Sequence, residues 1–416
     1  RARLMLQHQV LLQSRLDDHE LQLKVRELYR NALALSKAEL DYFYQLAKCT
    51  YVTKSDRCTK FFHSIVRRNK SRGFIAAISK EDGSLTKSSE EVAEEFVRYY
   101  DGLFGTHSQV LQVDREVILA GCGVSDFQAE SLVQVVSAEE IKEALFSIGN
   151  DKSPGPDGYG ALFFKSAWDI VGGDLVSAVK EFFTSGSLLK QINHTLIVLV
   201  PKSSHANSVG DFRPVACCNV IYKVISKILA VRLGRVLGGI IDPAQSAFVE
   251  GRSMMENIHL VQELLRKYSR KRVSPRCLIK IDLRKAYDSV SWEFLAGMLK
   301  GLGLPERFTG WVMECVSSAS YSIAMNGGIY GMFKGRKGLR QGDPLSPFLF
   351  IICMEYLSRS LRLSTGSSDF NFHPRCGQMG LSHLAFADDL MLMARGDLPS
   401  VRIILESLSD FGARSG

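Results

Sequence analysis

Leu384-Ala-Phe-Ala-Asp-Asp-Leu-Met-Leu-Met393 sets two adjacent carboxylates inside an otherwise apolar run of strand character. Consecutive residues of a strand point to opposite faces, so Asp388 and Asp389 suit the tip of a tight hairpin better than a flat strand. The apolar flanks predict acids held near a core, where like charges are costly unless a cation neutralises them. Hard divalent cations such as Mg²⁺ take oxygen ligands of this kind. A lone Asp is ordinarily a helix cap or turn former. A pair within an apolar run is less common and calls for another explanation.

About a hundred residues upstream, Cys277-Leu-Ile-Lys-Ile-Asp-Leu-Arg-Lys-Ala-Tyr-Asp288 is an apolar, β-branched run that ends in Asp282 and continues with helical character. One acid at a strand end and two at a hairpin are enough to hold two Mg²⁺ ions about 3.5–4 Å apart, the arrangement used for in-line displacement at phosphorus. Between the two stretches lies Gly335-Arg-Lys-Gly-Leu-Arg-Gln-Gly-Asp-Pro-Leu-Ser-Pro347, followed by an apolar helix over Phe348–Tyr356. Its glycines permit close backbone approach and its prolines suit a helix start. Gln341 and Ser346 are of a type that positions a base or sugar, and Arg340 is suited to phosphate. A plain loop before a helix is the alternative.

The rest of the chain supplies the setting. Its 416 residues are 46% hydrophobic and 23% charged, which excludes a disordered or fibrous protein and leaves room for two or three domains. The longest apolar run, Phe348–Met354, is far shorter than the roughly 20 residues of a membrane span. Nine cysteines without a Cys-x-x-Cys pair fit neither a disulfide framework nor a zinc ribbon, and predict reduced thiols and an intracellular setting. The chain opens at Arg1 without a targeting signal and reads as a fragment of something longer.

Lys and Arg outnumber Asp and Glu by 52 to 44, and the excess is clustered. Residues 1–72 lack Gly and Pro and carry apolar residues at helical spacing, which predicts one or two long helices packed on their own domain. Lys54, Arg57, Lys60, Arg67, Arg68, Lys70 and Arg72 are interleaved with Phe61, Phe62 and His63. Such a stretch either grips a phosphate backbone and stacks bases or is a solvated helix face. A second cluster runs from Arg266 to Lys280. Asp82-Gly83 marks a turn, Asp151–Gly158 a loop, Thr195–Val200 a strand and Asn219–Gly238 a helix.

In this order the segments resemble a known family. Ile279–Asp288, Gly338–Pro347 and Phe386–Asp389 resemble motifs A, B and C of reverse transcriptases, most closely those of LINE-type (non-LTR) retrotransposons, particularly of plants. Lys152–Gly158 is similar to the loop before the fingers. Leu199–Lys202 with Asp211–Pro214 resembles the first fingers motif, and Gln245–Arg252 the second. Thr59–His63 resembles a stretch common between endonuclease and polymerase in plant elements.

The resemblance implies an α+β, right-hand polymerase fragment: a helical basic N-terminal extension at 1–145, fingers at 146–274 and a truncated palm at 275–416. It implies that Asp282, Asp388 and Asp389 ligate two Mg²⁺ ions, with Mn²⁺ as a substitute. Tyr287 would crowd a ribose 2′-OH, Lys202 and Arg213 would clamp the incoming triphosphate, and Arg252 and Gln341 would line the template–nucleotide pocket. Lys60, Arg67, Arg68, Lys70, Arg72 and Arg340 would meet nucleic acid. The expected partners are an RNA template, a DNA primer and dNTPs, with no membrane, and the expected location is the nucleus. The family's next palm lysine, its thumb and its upstream endonuclease are expected to lie outside these 416 residues. The alternatives are a catalytically inactive nucleic-acid-binding remnant, an intron-type reverse transcriptase or an RNA-dependent RNA polymerase.

Overall fold

The structure, a computed structural model, describes residues 19–47, 64, 67–68, 73–107, 110–266, 268 and 274–416. It divides into two units, Arg1–Ala76 and Ala77–Gly416. The first contains the helix His19–Ala47, uninterrupted because no Gly or Pro occurs along it. None of residues 19–39 is buried, and Leu23, Leu33 and Leu35 are exposed, so the packing expected of this helix is not seen over them.

The second unit is α+β, with two sheets set around two buried helices. Val220–Leu237 begins after Asn219 and ends at Gly238, as its flanking residues predict. Ser346–Ser364 carries Pro347 in its first turn and is buried from Leu349 to Leu361. Both are apolar on most faces, which suits helices enclosed by other elements rather than laid on a surface.

One sheet has the order β2-β1-β4-β5, built from β1 (His194–Pro201), β2 (Phe212–Cys218), β4 (Ser320–Met325) and β5 (Gly328–Lys334). Its strands lie on both sides of residue 275, with β1 parallel to β4, so the expected boundary between 274 and 275 is not a break in packing. The division expected at 145/146 does not coincide with one either. Helix Ser89–Phe104 belongs to the second unit, where Phe104 stacks on Tyr321 at 5.4 Å and Phe96 meets Phe212 edge-on at 5.2 Å. Burial of these rings draws the segment into the core.

The other sheet is antiparallel, order β3-β7-β6: β3 (Arg276–Asp282), β6 (His383–Phe386) and β7 (Asp389–Arg395). Strand alternation gives it two different faces. Ala385, Leu390, Leu392 and Ala394 pack into the main core. Leu278, Leu384 and Met393 pack into a smaller cluster with Leu264 and Cys376. That cluster covers one end of its face only, leaving Lys280, Asp282 and Asp389 exposed at the other. The described cysteines form no disulfide.

Candidate active site

The exposed end of this sheet is where the acids meet. Asp282, the last residue of β3, stands directly opposite Asp389, the first of β7. Phe386 pairs with Asp389 to close the β6–β7 hairpin, which leaves Ala387 and Asp388 as its two-residue tip. The hairpin expected from the sequence is therefore present, but its acids are not enclosed: Asp282 and Asp389 are exposed and Asp388 is half-buried. The cause is the short reach of the smaller apolar cluster, which stops before the strand ends.

Like charges placed opposite each other across a ladder repel. Here Lys280, two residues before Asp282 and on the same face, brings its Nζ to 3.4 Å from Asp389. A solvent-exposed pair of this kind compensates weakly. Among the described residues, no three His, Cys, Asp or Glu side chains form a ready-made metal cage. The donor set nevertheless fits Mg²⁺, which is usually held by one or two carboxylates and completes its shell with water and substrate phosphate oxygens.

Beside the acids, the turn after β3 interlocks with the Gly335–Pro347 loop. The Gly338 and Leu339 amides donate to the Val290 and Tyr287 carbonyls at 2.8 and 2.7 Å. Gly338 has φ +86°, and a Cβ there would come within 2.8 Å of the Asp288 carbonyl, so a side chain is excluded. Gln341 Nε2 donates to Asp288 Oδ1 at 3.0 Å, and the Gln341 backbone carbonyl accepts from the Ala216 amide of β2 at 2.8 Å. Tyr287 stacks on Phe350 with ring centroids 4.4 Å apart. Burial pushes its hydroxyl up to about 12, with the nearby Asp388 charge adding to the effect. Burial also pushes the Asp288 carboxyl up to about 6, against the pull of the Gln341 hydrogen bond and the Lys285 and Lys202 charges.

The basic residues divide into two groups. Lys202 and Arg213 are exposed, Lys202 donates to the Gly210 carbonyl at 2.8 Å, and Arg213 sits opposite Val200 in the β1–β2 ladder. Arg340, by contrast, is buried and faces inward. Its guanidinium donates to Asn193 Oδ1 and the Cys315 carbonyl, both at 2.6 Å, and to Thr195 at 3.1 Å, and it lies over the Tyr222 ring beside Asp343. The phosphate contact expected of Arg340 is therefore corrected: the fork is consumed inside the protein.

Arg252 is likewise committed, donating to the backbone carbonyls of Gly238, Ile241, Asp242 and Gln245. It braces a loop, which corrects its expected place as a free lining residue of the nucleotide pocket. Arg67 and Arg68 are exposed, whereas Lys60, Lys70 and Arg72 lie outside the described residues, as do Lys267, Arg270, Lys271 and Arg272.

Sequence reasoning placed Lys280 only at the end of the second basic cluster and passed over Asp288, although both sit inside the quoted stretch. The same-face spacing of Lys280 with Asp282 was a usable signal. It also passed over Tyr99, whose ring lies 4.7 Å from Lys285 Nζ and which comes from a segment assigned to the extension. Among the described residues, no helix is long and apolar enough to cross a membrane.

Comparison with known proteins places these features in one family. The model of "Reverse transcriptase (RNA-dependent DNA polymerase)" matches residues 200–416. The chain is 28% identical over 341 residues to the Transposon TX1 uncharacterized 149 kDa protein of Xenopus laevis, covering 82% of this chain and 26% of that protein. It is 28% identical over 286 residues to the retrovirus-related Pol polyprotein from type-2 retrotransposable element R2DM of Drosophila melanogaster, covering 69% of this chain and 26% of that protein. Over a shorter span of 71 residues, 16% of this chain, it is 44% identical to the uncharacterized mitochondrial protein AtMg01250 of Arabidopsis thaliana, of which 54% is covered. The chain thus spans about a quarter of the length of the first two relatives. With the family model covering just over half of its residues, the chain belongs to the reverse transcriptase family, as the reverse transcriptase domain of a LINE-type (non-LTR) element.

Proposed function

We propose that this chain carries out RNA-templated DNA synthesis, joining a primer 3′-OH to the α-phosphate of a dNTP with loss of pyrophosphate. The observation that carries the reading is the register of β3 on β7, which opposes Asp282 to Asp389 with Asp388 at the adjoining tip. In this reading Asp282, Asp388 and Asp389 hold two Mg²⁺ ions, with Mn²⁺ as a substitute, and the ions when bound neutralise charge on the attacking and leaving oxygens. Tyr287, braced against Phe350, presents its ring edge to the sugar and disfavours a 2′-OH. Gln341, fixed through its carboxamide to Asp288 and through its backbone to β2, lines the same pocket in this reading. Lys202 and Arg213 approach the triphosphate from β1 and β2. The basic Arg67–Arg68 segment meets the template backbone through charge, so binding weakens steeply with salt.

In the same reading fingers and palm lie together within Ala77–Gly416, with thumb and endonuclease belonging to a longer parent protein that acts in the nucleus. The test is primer extension on poly(rA)/oligo(dT) with Mg²⁺, comparing wild type with Asp388→Asn/Asp389→Asn, for this chain and for one extended C-terminally. Extension that disappears in the double variant supports the reading. No extension by either wild-type chain, despite salt-sensitive RNA binding, would establish the inactive-remnant alternative.

A further inference from the structure

We propose that Gln245 is the positioning residue of the acidic hairpin: its buried carboxamide holds both backbone polar groups of Ala387 and thereby sets the direction in which Asp388 points. The inference rests on the reading of Asp388 as a metal ligand. Ala387 has φ +54°, a left-handed conformation that costs a non-glycine residue free energy and persists only where its surroundings enforce it. It is also buried, so its amide and carbonyl need partners inside the protein.

Gln245, 142 residues away in the chain and 2% exposed, supplies both. Its Oε1 accepts from the Ala387 amide at 3.0 Å, and its Nε2 donates to the Ala387 carbonyl at 3.4 Å. The same Oε1 accepts from the Ala247 amide at 3.0 Å, which fixes the side chain in turn.

The hold extends along the strand and back into the loop. Ala385 donates to the Ala244 carbonyl at 2.9 Å and accepts from the Ser246 amide at 3.0 Å, a short parallel bridge centred on Gln245. Asn257 Nδ2 reaches both the Ser246 hydroxyl, at 2.7 Å, and the Ala385 carbonyl, at 3.3 Å. Arg252 donates to the Gln245 carbonyl at 2.7 Å. A continuous chain therefore runs from Arg252 through Gln245 to Ala387 and ends one residue before Asp388. This gives the Gln245–Arg252 segment a physical role different from contact with nucleotide: it is a bracket for the strained tip. A polar partner behind a ligand typically changes metal affinity or activity about 10- to 100-fold when removed.

The experiment measures Mn²⁺ binding by electron paramagnetic resonance titration, with kcat and KM for dTTP on poly(rA)/oligo(dT), for wild type, Gln245→Ala, Gln245→Met and Gln245→Ala/Ala387→Gly. Thermal melts report the folded fraction. Per folded molecule, Gln245→Ala should weaken Mn²⁺ binding at least about tenfold and lower kcat more than it raises KM. Ala387→Gly should restore part of both, because glycine holds a positive φ without a clamp. If the alanine variant does not fold, Gln245→Met, similar in size and unable to hydrogen-bond there, decides on the same readouts. A lowered melting temperature with unchanged Mn²⁺ affinity and kcat would overturn the proposal and leave Gln245 a packing residue. If wild type binds Mn²⁺ but neither it nor the C-terminally extended chain extends a primer, the polymerase reading fails, and the binding data still decide the role of Gln245.

Discussion

Asp282 and Asp389 occupy one cross-strand pair at the open end of the β3–β7 ladder, two carboxylates facing each other with Lys280 Nζ 3.4 Å from Asp389. Folding alone gives no reason to oppose two negative charges at this position, since the pair repels. Asp389→Asn should leave the melting temperature unchanged or raised and lower single-turnover nucleotide incorporation on the order of a hundred- to a thousand-fold. An unchanged rate at saturating Mg²⁺ would remove Asp389 from the site.

Tyr287, proposed to face the sugar, also stacks its ring on Phe350. Tyr287→Val should raise the use of ribonucleotides relative to deoxynucleotides on the order of 10- to 100-fold. It should also cost about 1 kcal/mol from the lost ring pair, in addition to lost burial. Tyr287→Phe should retain both discrimination and stability. Competition of rNTP against dNTP on one primer measures the first effect, and equal discrimination by the Val variant would exclude Tyr287 as the gate.

Arg340 and Lys202 separate cleanly by burial. Removing the Arg340 guanidinium leaves Asp343, Asn193 and the Cys315 carbonyl short of a buried partner. Arg340→Ala should therefore cost about 3–5 kcal/mol in urea unfolding, while the folded fraction binds RNA as wild type does. Lys202→Ala should do the reverse, with an unchanged melt and a raised KM for dNTP. Loss of RNA affinity without loss of stability in Arg340→Ala would restore the phosphate role.

Asp288 makes stability depend on pH. Its carboxyl titrates at about 6 in the fold against 3.8 when free, mainly through burial. The folded state therefore holds this proton more tightly than the unfolded state. Its contribution to stability declines as pH rises from about 4 to 6, and the penalty is complete above that. Asp288→Asn, which keeps an acceptor for Gln341, should be more stable than wild type at pH 7.5 by about 3 kcal/mol and close to it near pH 4. Stability curves that run parallel across this range would show that Asp288 does not titrate this way.

Much of the acidic centre was legible from local pattern. The strand ending at Asp282, the hairpin at Asp388–Asp389, the loop at Gly335–Pro347 and the helix from Asn219 to Gly238 follow from apolar periodicity, turn residues and caps, all properties of neighbouring residues. Their order along the chain was enough to indicate the family. What local pattern does not contain is which distant groups a folded segment meets. Arg340 reads as a phosphate ligand by residue type, yet the turn after Gly338 sends it into the core. Arg252 reads the same way and instead ties down four carbonyls. The exposure of the acids depended on how far a small apolar cluster extends beneath the sheet, and the conformation of Ala387 on a glutamine 142 residues upstream. A chain can spell out its strands and turns through short-range sterics and hydrophobic alternation. Whether a charge ends in water or against a carbonyl is settled by long-range packing, where a buried donor must find its acceptor wherever the fold has brought one.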